Sequence, residues 1–183
     1  TKEKADATKE KIAEIEGVES AFGMMTCTAL SVEVNGNEIE IDLFSHDKTL
    51  LDTFKKSVIS GDISGVYEDG NYAMAVYNQD NRLDVGDKIK IGNQELEIVC
   101  VTSEGVGSVS GVPTVVCSEK TFMRLTGECR FAMISVVLKK DVSEAAVSKI
   151  RDLAGDYLFV DNREENSDIN GSYWVFRIAS YGF

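Results

Sequence analysis

Polar and apolar residues alternate with a period of two from Leu83 to Thr102, LDVGDKIKIGNQELEIVCVT, and Gly92-Asn93 interrupts the alternation. The pattern predicts two antiparallel strands closed by a two-residue turn. With the turn at that place, Ile89 lies opposite Leu96, Lys90 opposite Glu95 and Lys88 opposite Glu97, so one face is apolar and the other pairs opposite charges. Ahead of the hairpin, Asp84-Val85-Gly86-Asp87 makes a tight turn in which Gly86 takes a positive φ. A second hairpin is predicted between Met24 and Ser45, where the Asn35-Gly36 turn sets Val32 opposite Ile39 and Leu30 opposite Ile41.

The remaining elements follow from helical periodicity and stop signals. Thr1 to Glu16 reads as a charged helix with a narrow stripe of Ala5, Thr8, Ile12 and Ile15, stopped by Gly17. A helix capped by Asp47 or Thr49 is predicted to run to about Ser60, with Leu50, Leu51, Phe54 and Val58 on one face and Gly61 as its stop. Tyr72 to Tyr77 and Thr114 to Cys117 read as strands, Gly105 to Pro113 as a loop. Ser118 caps a short helix carrying Phe122 and Leu125, ended by Gly127. Phe131 to Lys139 is an apolar strand, Ser143 caps a helix with Ala146, Val147, Ile150 and Leu153 on one face, and Tyr157 to Val160 is a further strand.

These elements sum to an α+β fold in two lobes. Residues 1–62 and 129–171 are expected to form a discontinuous lobe with helices on a mostly antiparallel sheet, 63–128 a small inserted β-rich lobe, and 172–183 an aromatic tail leading towards a membrane helix. In that tail Tyr173, Trp174, Phe176 and Arg177 match the composition of a water–lipid boundary. A C-terminal helix docked on the core is the alternative.

The stretch L-x-V-G-D-K-I-x-I-G, carried by Leu83, Val85, Gly86, Asp87, Ile89 and Ile91, and the apolar strand after it resemble the middle of the MacB-like extracytoplasmic domain of FtsX-type ABC transporter permeases. The upstream helix with I-x-x-I-E-G-V-E-S-A (Ile12 to Ala21) and the downstream V-V-C-S-E-K-T-F-M-R-L-T-G (Val115 to Gly127) are similar to the same family, in the same order. The resemblance implies a non-catalytic domain on the extracytoplasmic face of a bacterial membrane. It would sit between the first and second spanning helices and couple ATP-driven motion to export or signalling of a peptide, lipoprotein or antibiotic-like ligand. Its implied partners are a cytoplasmic ATP-binding subunit, a second permease copy and an accessory extracytoplasmic protein. A free-standing secreted binding module is the alternative.

Composition narrows the chemistry. The 183 residues carry 31 acidic against 19 basic side chains, a formal charge of -12, which disfavours nucleic acid as a partner because phosphate binding needs clustered Lys and Arg. No run of about 18 apolar residues spans a bilayer. The chain opens at Thr1 without a signal peptide, so it is expected to belong to something longer. Cys27, Cys100, Cys117 and Cys129 lack metal or redox spacing and are expected as buried free thiols. His46, the single histidine, lies in S-H-D-K, which reads as a polar helix-capping loop rather than half of a Cys-His couple. The Gly105–Gly111 run misses G-x-G-x-x-G spacing, and Asp80, Asp84 and Asp87 miss calcium-loop spacing. No enzyme, cofactor or metal is expected.

Overall fold

In the computed structural model, which describes residues 2–48, 54–79, 82–105, 111–128, 131–155, 158–161 and 174–179, the charged opening segment is helical over Lys2–Ala13 (α1). Gly17, at φ 94° and packed on Val142, then turns the chain into β1 (Val18–Met24). The helix therefore stops inside the I-x-x-I-E-G-V-E-S-A stretch, and Val18 to Ala21 form the start of a strand rather than helix. Next come β2 (Thr26–Val34) and β3 (Asn37–His46), joined at Asn35 and Gly36 with φ of 52° and 82°, the pair of positive values that a type I′ turn requires. The register is Val32↔Ile39 and Leu30↔Ile41, as the turn dictates.

The helix expected to run to Ser60 is not present at its end. Lys55–Ser57 is a single 3-10 turn and β4 (Val58–Gly61) is a strand. Val and Ile are β-branched, and pairing of β4 with the chain near Thr102 outweighs the helical spacing of Leu50, Phe54 and Val58. Positions 49–53 lie outside the described residues. After a 3-10 turn at Ile63–Tyr67 the chain forms β5 (Tyr72–Val76), β6 (Lys88–Ile91), β7 (Gln94–Thr102), β8 (Thr114–Ser118), α2 (Glu119–Thr126), β9 (Met133–Leu138), α3 (Glu144–Ala154), β10 (Leu158–Asp161) and β11 (Trp174–Ala179). Ser118 Oγ accepts from Thr121 N and Ser143 Oγ from Ala146 N, so both helices begin at their expected caps.

The chain divides into two compact units, Thr1–Met24 with Cys129–Phe183, and Met25–Glu128. The first boundary thus falls at 24/25 and not at 62/63, because β2 and β3 pair with strands of the 63–128 segment and not with β9 or β11. Local composition marks loops; it does not show which sheet a hairpin joins.

The first unit is an antiparallel sheet in the order β1-β9-β11-β10. Its core gathers Ile12 of α1, Val18 of β1, Ile134, Val136 and Leu138 of β9, and Val147 and Ile150 of α3, so two helices cover one face. Each large aliphatic buried there contributes roughly 1.5–3 kcal/mol. The direction of α1 is fixed by two contacts. Ile12 packs with Val18, while Lys9, nearly one turn earlier, lies over the Phe131 ring at 5.3 Å, and that ring covers Gly23. The helix therefore runs back along β1, with its N-terminal turns towards Met24. Met24 pairs with Met133, and Met133 pairs with Ala179, the last residue of β11. Both the start of α1 and the end of β11 leave this unit at one end.

The second unit closes on itself. Its pairings run β2–β3–β8–β5–β7–β6 and back to β2, a six-stranded ring with β4 added on the outer edge of β7. β3–β8 and β5–β7 are parallel and the other pairs antiparallel. By register Ile41, Leu43, Val115, Ala75, Leu96 and Ile89 share the inner face, and all are at 0% exposure.

Candidate functional site

Leu83, Val85, Gly86, Asp87, Ile89 and Ile91 form the stave that closes this ring. Gly86, at φ 94° with open space where a Cβ would stand, is glycine for its backbone conformation alone. Its N–H donates to the Ile98 carbonyl at 2.8 Å, and the Asp87 carbonyl accepts from Ile98 N at 2.9 Å, so the turn is stitched to β7. Asp87 fastens two further points: Oδ2 accepts from Asp84 N at 2.8 Å and Oδ1 from Asn35 Nδ2 at 3.2 Å, tying the turn to the tip of the β2–β3 hairpin. Leu83 and Ile89 are buried, and Val85 stands 46% exposed beside Gly61.

Beyond this turn β6 pairs with both β7 and β2. The registers Ile89↔Leu96, Lys90↔Glu95 and Lys88↔Glu97 are as the alternation predicts. The ion pairs are not those opposite each other in the hairpin: Lys88 Nζ reaches Glu95 at 2.7 Å on the diagonal, and Lys90 Nζ reaches Glu33, directly opposite it on β2, at 2.6 Å. Both pairs are exposed, so solvent screening leaves them little weight in stability. Sequence reasoning missed that β6 has a second neighbour, since a partner 57 positions away leaves no local signal.

His46 is not in a polar loop. It is the last residue of β3, 2% exposed, with its ring centroid 5.0 Å from that of Phe54. Burial lowers its pKa to about 4, against the smaller opposing influence of Asp47. The imidazole is neutral at physiological pH. Cys27, Cys100 and Cys117 are free thiols. Burial pushes Cys100 up to about 11 and raises Cys117 further; for Cys27 burial acts first and the Asp42 carboxylate second. None is activated as a nucleophile, which requires a lowered pKa. Cys129 lies outside the described residues.

Asp42 is buried, and its Oδ1 accepts from Ala29 N at 3.0 Å, holding a bulge in which Ala29 takes φ 51°. In the first unit a cleft of about 430 Å³ lies between the α1–β1 turn and the β9–α3 loop, lined by Ile15, Gly17 and Val142 with Glu16, Lys139 and Lys149 at its rim. Among the described residues no group of three or more His, Cys, Asp or Glu is placed to hold a metal ion, and no helix is long and apolar enough to cross a membrane.

The aromatic stretch expected to face a membrane is placed differently. Trp174, Phe176 and Arg177 belong to β11, hydrogen-bonded between β9 and β10, so their backbone is an inner strand of the sheet and not a docked helix. Tyr173 lies outside the described residues.

No described protein family matches the sequence, and no curated protein matches it either. Solved structures do. The extracellular domain of the ABC-type transporter YknZ from Gram-positive bacteria superposes with a TM-score of 0.62 at 14% identity, covering 96% of this chain and 88% of that one. The periplasmic region of MacB from Actinobacillus actinomycetemcomitans gives 0.61 at 12% identity over 95% and 78%. A permease domain from Porphyromonas gingivalis gives 0.58 at 13% over 97% and 80%. The fold is that of the MacB-like extracytoplasmic domain, an α+β arrangement shared with these transporter permeases.

Proposed function

We propose that the chain is the extracytoplasmic domain of a bacterial ABC transporter permease, without catalytic activity of its own, and that it relays ATP-driven movement of spanning helices to a ligand outside the membrane. The observation that supports this most directly is the exit of α1 and β11 from one end of the layered unit. A domain inserted between two spanning helices needs both connections on one side, and this unit supplies them on two of its own elements. The link to the second spanning helix begins beyond Ala179 rather than at Tyr173. The moving parts are two rigid bodies, one closed barrel and one helix-backed sheet, which suits a relay built from rigid-body displacement.

A cytoplasmic ATP-binding subunit, a second permease copy held mainly by the membrane helices, and an accessory extracytoplasmic protein are the partners of this reading. The ligand is a peptide, lipoprotein or antibiotic-like molecule. Expression from the complete gene, followed by membrane fractionation and affinity purification, tests it. The expected result is a membrane-bound product that brings down an ATP-binding subunit. Recovery of a free product in the medium would replace the proposal with a secreted binding module.

A further inference from the structure

β3 is buried on both faces. Ile41, Leu43 and Ser45 lie inside the ring, while Asp42, Phe44 and His46 lie on its outer side and are each 5% exposed or less. Phe54, itself buried, stacks on His46 at 5.0 Å and 36° between ring planes. Neither imidazole nitrogen has a hydrogen-bond partner among the described residues. Buried polar groups are nearly always satisfied, and the exceptions concentrate where a protein stores strain or switches state.

Phe54 opens the segment that continues through the 3-10 turn into β4. Past that contact the segment is held lightly. The Ser57 carbonyl accepts from Ser103 N at 2.7 Å and from Ser103 Oγ at 3.3 Å, and Asp62 N donates to the Val99 carbonyl at 3.0 Å. β4 has four residues, an irregularity between Val58 and Ser60, and Gly61 at φ 78° as its end. Short, bulged edge strands add little pairing energy.

The titratable groups on the surrounding elements are few. Asp47, next in the chain, favours the charged imidazole but is outweighed by burial. Tyr67, on the neighbouring 3-10 turn, donates its hydroxyl to the Asp47 carbonyl at 3.2 Å, and burial keeps it neutral. Cys117 of β8 also stays neutral, Glu119 opens α2, and Lys55 on the covering segment lies close enough to act on Asp62.

We infer that His46 is an acid-released latch: protonating the imidazole drives it into water and frees Phe54 from the outer face of the barrel and β4 from the edge of β7, while the ring of strands beneath stays closed. The imidazolium has two N–H donors and a charge, and among the described residues neither nitrogen meets an acceptor. The sign follows from a folded pKa below the unfolded value of 6.5: the closed state is fully favoured above pH 6.5 and loses ground as pH falls towards 4.

Backbone hydrogen exchange at pH 7.5 and pH 5.0, corrected for intrinsic rates, tests the latch. The opening equilibrium of residues 54–61 rises about 25-fold between these pH values, with β5 and β8 unchanged. In His46→Gln and His46→Phe the rise is absent. Because His46 is the single histidine, its ring resonances in the wild-type chain read the same event without any substitution. Titration near 6.5, an equal rise in both variants, or simultaneous loss of protection in β5 and β8 would each overturn the inference.

Discussion

Ending the chain at Gly171 removes β11 and separates two readings of the aromatic stretch. β11 makes six register pairs with β9 and four with β10. An antiparallel ladder carries on average about one hydrogen bond per pair, each worth a net ~0.5–1.5 kcal/mol, so the deletion forfeits roughly 5–15 kcal/mol. That range equals the whole stability of a typical domain. β10 would also lose its one partner in the sheet, since it pairs with β11 alone among the described strands. The layered unit should therefore unfold, while the barrel of Met25–Glu128, which contributes nothing to that sheet, keeps a cooperative transition. Urea unfolding followed by far-ultraviolet circular dichroism is the assay, because the deletion removes Trp174, the only tryptophan. A truncated chain with an unchanged midpoint and amplitude would refute the reasoning and restore the reading of residues 172–183 as an exposed tail.

Further outcomes follow from single sites. Asp42→Ala removes the side-chain acceptor of the part-buried Ala29 N–H bond and should cost about 0.5–1.5 kcal/mol, whereas Asp42→Asn, which keeps an acceptor, should cost less than half of that, and Ala29→Gly should be neutral or stabilising by up to ~1 kcal/mol; equal losses for the two Asp42 variants in urea would show that the bulge does not rest on this bond. Maleimide labelling read residue by residue at pH 8 should modify Cys27 fastest and leave Cys100 and Cys117 slow, with both accelerating as pH climbs because their thiolates form only at raised pH; fast labelling of Cys117 in the native state would contradict its burial. The isolated chain should sediment as a monomer at physiological salt, since each copy carries a formal charge of -12, and a tight dimer independent of salt would reveal an interface on the units themselves.

The two hairpins were legible because their information is local. Asn35-Gly36 and Gly92-Asn93 each fix a turn, the turn fixes the register, and the alternation of Val32 and Ile39 or Ile89 and Leu96 agrees with it. The caps at Ser118 and Ser143 and the stops at Gly127 and Gly155 are equally local. What escaped was pairing across long separations. β4 is four residues of edge strand whose partner is some 40 positions away, and its VIS run was absorbed into a helical face. Closure of the ring depends on Glu33↔Lys90 and Val34↔Ile89, contacts that neither hairpin announces. The burial of His46 has the same origin. S-H-D-K is polar as a string, yet β8 covers one side of β3 and Phe54 the outer face, so a polar word ends up inside. The L-x-V-G-D-K-I-x-I-G pattern was readable before its purpose was: Gly86 bonds the turn to β7 and Asp87 ties it to the tip of the β2–β3 hairpin, on either side of β6.

Position within the sheet also bears on the proposed relay. A strand at an edge is peeled from one neighbour, one hydrogen bond after another, whereas β11 lies between β9 and β10 and runs antiparallel to both. Tension entering at Ala179 along the strand therefore loads two ladders together in shear, and many bonds must yield at once. On the other connection, α1 is anchored by Ile12 in the shared core and by Lys9 over the Phe131 ring, so a pull on its first turn is carried into β1 and β9 instead of unravelling the helix. Both connections thus deliver displacement to the same four-stranded sheet as a body. An exposed tail would have placed a soft joint where the relay needs a stiff one, and this is the physical reason that Trp174 and Phe176 serve the proposed function better on an inner strand than on a membrane-facing patch.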